Sequence, residues 1–372
     1  MKDPTFGVYT EAGEAWPDQH PAPHAPVSTR SVMKSILDLR HEPVLVTGGA
    51  GFIGSHLVDA LLDHGAFVRV LDNLSTGRWE NVAGTLDRIE FLEGDIREME
   101  TCRRACRDVS LVFHEAALGS VPRSVLDPAT TIAINVSGTA NIFAAARDAR
   151  VRRVVYASSS SVYGDSQTLP KREGEEGRPL SPYALSKAMA EQLAAVFSQC
   201  LGLETIGLRY FNVYGPRQDP EGPYAAVIPR FFSACITGHA PVIYGDGEQS
   251  RDFTFVEDAV AANLLAAAAP AAACGRAYNV AAGQGTTVLA LARAIRGLVG
   301  GGAEPRHEPQ RAGDIRHSLA DLGQVREAIG YRPSTRLESG LARCHPHYVA
   351  GSPKGGAQTL TSREVSVDEH SG

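Results

Sequence analysis

Short apolar runs alternate with longer amphipathic stretches over the first half of the chain. The runs PVLVTG, AFVRVLD, RIEFLEGD, VSLVFHEAA and RRVVYASSS have the length of strands, while FIGSHLVDALLDHG and residues 129–148 carry apolar residues at helical spacing. Strands that alternate with helices are typical of parallel sheets covered on both faces by crossover helices. The pattern predicts an α/β fold with a Rossmann-like, doubly wound parallel sheet.

Beyond about residue 209 the pattern changes to Gly- and Pro-rich loops with shorter predicted helices near 225–237, 256–268, 287–298 and 321–329. We predict a Rossmann domain over 43–208 and a smaller α/β substrate-binding lobe over 209–348. The part near 251–280 is a candidate to return to the main sheet. Residues 1–42 and 349–372 lack a sustained apolar period and are predicted to be mobile extensions.

The charge and cysteine patterns narrow the class of protein. A net charge of −6 offers no broad basic surface for nucleic acid or an acidic membrane. No apolar run reaches the roughly 18 residues of a membrane span, and the first residues lack the apolar core of a secretory signal, so we expect a cytoplasmic protein. Cys102 and Cys106 match neither a redox pair nor a common zinc site, and we predict neither metal nor disulfide.

Three glycines mark the junction between the first predicted strand and its helix. Gly48, Gly51 and Gly54 allow the backbone to approach a pyrophosphate, and the helix N-terminus supplies unpaired N–H groups. The next strand ends at Asp72, whose carboxylate is placed to accept hydrogen bonds from an adenosine ribose and to repel the extra phosphate of NADP. The sequence therefore predicts an NAD site.

Asp95, in the GDI segment, follows the next predicted strand. Its carboxylate is a candidate acceptor for the adenine amino group. The alternative is that Asp95 caps the helix that follows it.

A serine cluster, a tyrosine and a lysine predict the reacting centre. Ser158 to Ser161 follow a later strand, and Lys187 lies four residues beyond Tyr183 on a predicted helix. Residues four apart share a helix face, so we expect the ammonium beside the phenol. A free tyrosine has a pKa of about 10, and adjacent positive charge favours the phenolate. Tyr183 is thus a candidate general base, and Ser159 a hydrogen-bond partner of the same substrate hydroxyl.

The chain resembles the extended short-chain dehydrogenase/reductase family, specifically its UDP-sugar 4-epimerases, through TGGAGFIG, NLSTG after Asp72, HEAA, SSSSVYG, YALSK, RYFNVYGPRQDP and GDGEQSRDF. Through YAAVIPRF and RAGDIRHSLADL it most resembles the branch acting on UDP-N-acetylglucosamine and UDP-N-acetylgalactosamine. The resemblance covers about residues 43–348. It implies C4 epimerisation through a 4-keto sugar by a homodimer with tightly bound NAD, with UDP-glucose and UDP-galactose as further candidate substrates.

The resemblance also implies individual roles. Tyr183 resembles the catalytic base and Lys187 the residue that binds the ribose and tunes the pKa of that base. Ser159 resembles the hydroxyl partner, with Ser160 as the alternative. Asn135 in AINVSGT resembles an asparagine that braces the cofactor region, unless it only bonds to its own helix. The implied cofactor site further includes Phe52, Ile53, Asn73, Ile96 and Ala116.

The second lobe is implied to bind the diphosphate and the sugar. Arg251 and Arg311 resemble two pyrophosphate clamps, because a forked guanidinium suits phosphate. Asn212 resembles a donor to the diphosphate, and Val227 a residue near the uracil. Asp314 completes the implied substrate site.

Ser318 resembles the residue that borders the C2 substituent of the sugar. A tyrosine in this place restricts the pocket to UDP-glucose and UDP-galactose, whereas serine leaves room for a 2-acetamido group. The alternative is that Ser318 caps the following helix.

Competing functions remain within and outside this family. A 4,6-dehydratase has an Asp-Glu pair directly after the catalytic hydroxyl residue, where this chain has Ser160 and Ser161. A UDP-glucuronate 4-epimerase, or another NAD-dependent enzyme that modifies nucleotide sugars, shares the Ser-Tyr-Lys set. A protein that senses dinucleotides without catalysis is the alternative from a different class.

Overall fold

The structure, a computed structural model, describes residues 39–221, 225–310 and 315–351. Its strands are β1 (Pro43–Thr47), β2 (Phe67–Asp72), β3 (Ile89–Glu93), β4 (Leu111–His114), β5 (Arg153–Ser159), β6 (Glu204–Tyr210), β7 (Val213–Tyr214), β8 (Val242–Tyr244), β9 (Ser250–Asp252), β10 (Thr254–Phe255), β11 (Arg276–Val280), β12 (Gly285–Thr287) and β13 (Arg306–Glu308). Its α-helices are α1 (Phe52–Asp63), α2 (Met99–Cys106), α3 (Val121–Leu126), α4 (Pro128–Ile132), α5 (Thr139–Asp148), α6 (Pro182–Cys200), α7 (Val227–Thr237), α8 (Val256–Ala268), α9 (Val288–Val299), α10 (Gly323–Ile329) and α11 (Leu337–Ala350).

A seven-stranded parallel sheet forms the centre of the molecule, and it confirms the predicted fold class. The strand order is β3-β2-β1-β4-β5-β6-β11. In register, Thr47 of β1 pairs with Leu71 of β2 on one side and with His114 of β4 on the other. The strand order therefore reverses beside β1, and the carboxyl ends of β1 and β4 open a crevice of the kind in which α/β sheets bind ligands.

Helices bury both faces of the sheet, which explains why strands such as β1 and β4 are continuous apolar runs. One face packs against α1 and α8, with Leu57, Leu61 and Ala262 in the core. The other face packs against α2, α5 and α6. Cys102 and Cys106 belong to this second core, and burial raises the pKa of each thiol to about 12. These thiols therefore stay protonated and serve as packing groups.

The chain beyond residue 208 contributes to two cores. Helix α8 packs on β5 and β6, and β11 adds the seventh strand beside β6. A separate core lies between α7, α9 and α11 and includes Phe231, Phe232 and Leu291. The short pairs β7–β10, β8–β13 and β9–β12 connect these helices to the sheet. The sheet thus extends past the predicted domain boundary, because α8 is apolar enough to cover it.

Candidate active site

A cavity of about 530 Å³ lies at the carboxyl ends of the central strands. Its wall contains residues from the ends of the first six strands, from α1 and from α6. Those predicted to bind cofactor or substrate are Gly48, Gly51, Phe52, Ile53, Gly54, Asp72, Asn73, Asp95, Ile96, Ala116, Ser159, Ser160, Tyr183, Lys187 and Asn212. Among these predicted residues the fold brings together Gly48 and Asn212, which are 164 positions apart in the chain.

The glycine turn forms a tightly packed part of this wall. Gly48 has a φ of +71°, and a Cβ placed there would lie 2.7 Å from the Ala116 nitrogen. A Cβ on Gly54 would lie 2.1 Å from the Gly48 carbonyl oxygen. Helix α1 begins after Gly51 without a side-chain cap, so its first N–H groups are available to an anion. The turn therefore fits a pyrophosphate.

Asp72 ends β2 and faces the same cavity. Its carboxylate accepts hydrogen bonds from the Ala50 nitrogen at 3.0 Å and the Leu74 nitrogen at 2.8 Å. Burial raises the pKa of Asp72, and these N–H donors lower it. Each carboxylate oxygen retains further lone pairs, so Asp72 can accept hydrogen bonds from ribose hydroxyls.

Asp95 lines the cavity, as predicted for a cofactor-binding residue. It accepts a hydrogen bond from the Arg97 backbone nitrogen at 2.8 Å, but helix α2 begins at Met99 after Glu98, so Asp95 does not cap that helix. The Arg97 side chain lies 2.7 Å from its carboxylate, and Asn73 donates to it at 3.0 Å. Arg97 is the main reason that the pKa of Asp95 falls to about 2, which keeps the carboxylate charged.

A buried chain of hydrogen bonds fixes the cavity wall after β4. The Thr139 hydroxyl donates to the Asn135 carbonyl at 2.7 Å and therefore accepts from His114 Nε2 at 2.9 Å. His114 Nδ1 then accepts from the Thr47 hydroxyl at 2.7 Å, and Thr47 accepts from the Ala116 nitrogen at 3.3 Å. Burial lowers the pKa of His114 to about 3, so the ring is neutral. Each hydrogen bond in this series therefore has a fixed donor and a fixed acceptor.

Asn135 lies in a π-helical turn, Ala133–Gly138, between α4 and α5. Its Oδ1 accepts from the Leu118 nitrogen at 2.8 Å, and its Nδ2 donates to the Leu118 carbonyl at 3.1 Å and to the Ser186 hydroxyl at 3.0 Å. These partners belong to the cavity wall and to α6 instead of its own helix. Single π turns occur often at functional sites, and here the turn aims Asn135 at the wall.

Tyr183 and Lys187 occupy the first turns of α6, which Ser181 caps by accepting a hydrogen bond from the Ala184 nitrogen. Burial raises the pKa of Tyr183, while a hydrogen bond with Ser159 lowers it. The net shift is upward, so the protein alone does not produce the acidic phenol expected from the neighbouring lysine. Lys187 instead donates to the Ala157 carbonyl at 2.8 Å, and its burial lowers its own pKa to about 8.

The predicted residues of the second lobe are more dispersed. Asn212 reaches the cavity and donates from Nδ2 to the Asp252 carbonyl at 3.1 Å. Val227 lines a separate cavity of about 160 Å³ together with Phe231 and Tyr244. Arg251 lies on β9 and donates to the Ser250 carbonyl at 2.9 Å, away from the lining of either cavity.

Ser318 is also absent from the lining of both cavities. It is 9% exposed, and its backbone nitrogen donates to the Ser250 carbonyl at 3.1 Å. Helix α10 begins at Gly323 after Leu322, so Ser318 does not cap it. Arg311 and Asp314 lie outside the described residues.

Several wall residues escaped prediction, among them Glu115, Leu118, Tyr210 and Gln218. Glu115 belongs to HEAA, a motif recognised in the sequence, but only Ala116 of that motif was assigned to the site. The available signal was its place directly after β4, where side chains reach the ligand edge of the sheet. Among the described residues, no three His, Cys, Asp or Glu side chains form a metal-binding group. Every helix in the same residues is too short or too polar to span a bilayer.

The turn, the acidic strand end and the tyrosine–lysine helix define a class, the Rossmann-fold enzymes that use a nicotinamide dinucleotide. The model of the NAD dependent epimerase/dehydratase family matches residues 44–281. The chain belongs to this family, and its cofactor is NAD, as the sequence predicts.

The chain matches individual relatives over nearly the full length of those relatives. The UDP-glucose 4-epimerase of Mycolicibacterium smegmatis is 42% identical over 303 residues, which are 80% of this chain and 96% of that protein. The structure of UDP-N-acetylglucosamine 4-epimerase from Methanobrevibacter ruminantium, in complex with UDP-N-acetylmuramic acid, has a TM-score of 0.80 and 39% identity, and covers 84% of this chain and 99% of that one. The complex of Thermus thermophilus UDP-glucose 4-epimerase with NAD has a TM-score of 0.75 and 37% identity, and covers 82% and 98%.

Proposed function

We propose that this enzyme interconverts UDP-sugars at C4 and that UDP-N-acetylglucosamine and UDP-N-acetylgalactosamine are its substrate pair. The observation that carries the proposal is that Ser159, Tyr183 and Lys187 share one cavity with the glycine turn. A reacting hydroxyl and a dinucleotide can therefore meet at this wall. The 4-epimerases among the similar proteins support the same chemistry.

The cavity fits NAD by the shape and charge of its wall. The turn at Gly48 and Gly54 leaves no room for a Cβ, and the uncapped start of α1 suits the pyrophosphate. Asp72 would offer acceptors to the adenosine ribose, and Lys187, which lines the same cavity on the helix of Tyr183, would bind the nicotinamide ribose. Held by these residues, NAD would supply reversible hydride transfer at the sugar carbon.

The side chains perform the proton transfers. Tyr183 removes the proton of the C4 hydroxyl, with the Lys187 ammonium supplying positive charge that favours the phenolate. Ser159 hydrogen-bonds to the same oxygen and holds the flat 4-keto sugar. After that sugar turns over, Tyr183 returns the proton. Burial raises the pKa of Tyr183, so the first of these two steps depends on the positive charge of Lys187.

We assign the selection between UDP-sugars to residues of the second lobe. Ser318 is small and lies beside Ser250, one residue before Arg251, the proposed pyrophosphate ligand. A short side chain here leaves space for a 2-acetamido group, and Arg311 supplies the second proposed clamp. The M. ruminantium structure, a UDP-N-acetylglucosamine 4-epimerase, supports this preference.

The proposal includes a homodimer. Helix α3 packs beside α6, and both expose large apolar side chains: Val125 is 63%, Leu126 76%, Leu185 46% and Val196 51% exposed. Apolar clusters of this kind mark protein interfaces. Two copies of this helical face pairing about a twofold axis would cover them.

One assay tests the substrate. The purified full-length enzyme is incubated separately with UDP-N-acetylglucosamine, UDP-N-acetylgalactosamine, UDP-glucose and UDP-glucuronate, and the products are identified by NMR. We expect C4 inversion of the N-acetylated pair. Inversion of UDP-glucuronate alone would replace the proposal with a uronate epimerase, and turnover of none would overturn it.

A further inference from the structure

Glu115 is an acidic side chain in the wall of the cavity. It directly follows β4 and lines the cavity together with Lys187 and Tyr210. None of the roles described above uses its carboxylate. An ionisable group in this position is costly to bury unless a partner compensates its charge.

A hydrogen bond from Tyr210 orients this carboxylate, and a second hydrogen bond, from Asn263, orients Tyr210. The Tyr210 hydroxyl at the end of β6 donates to Glu115 Oε1 at 2.8 Å. The same hydroxyl oxygen accepts from Asn263 Nδ2 on α8 at 2.7 Å. Tyr210 must therefore direct its own proton to Glu115, and this arrangement favours the charged carboxylate.

Glu115 and Ala157 directly follow His114 and Tyr156, which pair in register between β4 and β5, and Lys187 donates to the Ala157 carbonyl. The carboxylate and the ammonium therefore lie at neighbouring strand ends, where each favours the charged form of the other. Burial raises the pKa of Glu115 to about 7, and the positive charge of Lys187 lowers it. Burial lowers the pKa of Lys187 to about 8, and the negative charge of Glu115 is the largest influence that raises it. Without Glu115, the buried ammonium would lose its proton closer to neutral pH.

The other ionisable groups near Lys187 cannot replace this charge. Glu191, on the same helix, also raises the pKa of Lys187, but Arg209 already binds both of its oxygens, at 2.9 and 2.7 Å. His114 is neutral, and burial keeps the phenols of Tyr183 and Tyr210 protonated. Glu115 therefore supplies the uncompensated negative charge.

We propose that Glu115 is a positioning residue of this reaction, whose carboxylate, oriented by Tyr210 and Asn263, keeps the Lys187 ammonium charged beside the catalytic phenol. The proposal rests on the proposed function, in which Lys187 must carry a positive charge while Tyr183 gives up its proton. Glu115 acts through Lys187 and needs no contact with the sugar.

The test is Glu115→Gln in the full-length enzyme, because glutamine still accepts the Tyr210 hydrogen bond while the charge is lost. We expect the alkaline limb of the kcat profile to move to lower pH by roughly one unit, with KM nearly unchanged. A ¹³C NMR titration of the Lys187 ε-carbon, assigned with Lys187→Arg, should show the same downward shift without substrate. Glu90→Gln removes an exposed carboxylate from β3 and should leave both titrations in place.

Tyr210→Phe provides a second variant if Glu115→Gln does not fold. Loss of the donor raises the pKa of Glu115, so its charge disappears at higher pH and the acid limb of kcat should move upward. An unshifted Lys187 titration, or an equal loss of kcat at every pH, would overturn the role of Glu115. An equal shift in Glu90→Gln would do the same. Absence of turnover in the wild type would instead overturn the proposed function. The NMR titration needs no substrate, so it would still show whether Glu115 raises the pKa of Lys187.

Discussion

The Tyr183 phenol experiences two opposing influences. Burial raises its pKa and the hydrogen bond with Ser159 lowers it, with a net upward shift. The proposed removal of a substrate proton therefore depends on positive charge close to the phenol, which the Lys187 ammonium and the bound cofactor would supply.

Tyr183→Phe should lower kcat by about 10²–10⁴-fold, the range for loss of a general acid–base group. NAD binding should persist, because the ring and its packing remain. Tyr278→Phe is the matched control, since its hydroxyl donates to the Ala273 carbonyl outside the cavity. Steady-state rates and bound NAD are measured for both variants. Unchanged turnover in Tyr183→Phe would revive a non-catalytic dinucleotide-sensing protein.

Ser318→Tyr tests the proposed size limit at the sugar. We expect turnover of UDP-N-acetylglucosamine to fall at least about tenfold relative to UDP-glucose, because a blocked 2-acetamido group costs more than about 1.4 kcal/mol. The ratio of the two kcat/KM values is the measurement. Ser318→Ala should leave that ratio unchanged, and an equal loss on both substrates in Ser318→Tyr would remove Ser318 as the determinant.

At the scale of elements, the junction of β1 and α1 is the most constrained part of the site. The two elements approach so closely that a Cβ on Gly54 meets the backbone of Gly48 and Gly49. Backbone atoms cannot move aside as a flexible side chain can. The N-terminus of α1 is consequently held at a fixed place beside the cavity.

Gly54→Ala should displace this turn, weaken NAD retention and destabilise the fold by roughly 1–3 kcal/mol, as overpacking does. NAD released by denaturation after purification and the thermal midpoint are measured. Gly84→Ala is the control, because its Cβ would meet nothing within 4 Å. Full NAD content and an unchanged midpoint in Gly54→Ala would contradict this account of the turn.

At the scale of the whole molecule, the proposed dimer would cover the exposed apolar side chains on α3 and α6. Leu126→Glu places a charge at the most exposed of these side chains, and burying an unpaired charge in an interface is costly. We expect wild type to have twice the mass of one chain by light scattering, and Leu126→Glu to shift toward one. Val349→Glu, on α11, should remain dimeric. A monomeric wild type would refute the dimer.

The sequence by itself determined the sheet, most helices and the shared helix of Tyr183 and Lys187. The predicted helix near 256–268 is α8, and the glycine turn and Asp72 lie where strand ends meet. These features are local: apolar periodicity defines a helix, and a spacing of four places Tyr183 and Lys187 on one face. The predicted helix at 129–148 corresponds to α4, the π turn that contains Asn135, and α5, and periodicity does not reveal the π turn.

Tertiary structure decided the properties that depend on distant neighbours. The sequence spacing predicted a lowered pKa for Tyr183, but burial by the surrounding elements outweighs that effect in the protein alone. Glu115 gains its role only because β6 and α8 bring Tyr210 and Asn263 beside it. Desolvation and hydrogen bonding act over a few ångströms in space, and chain order does not encode such distances.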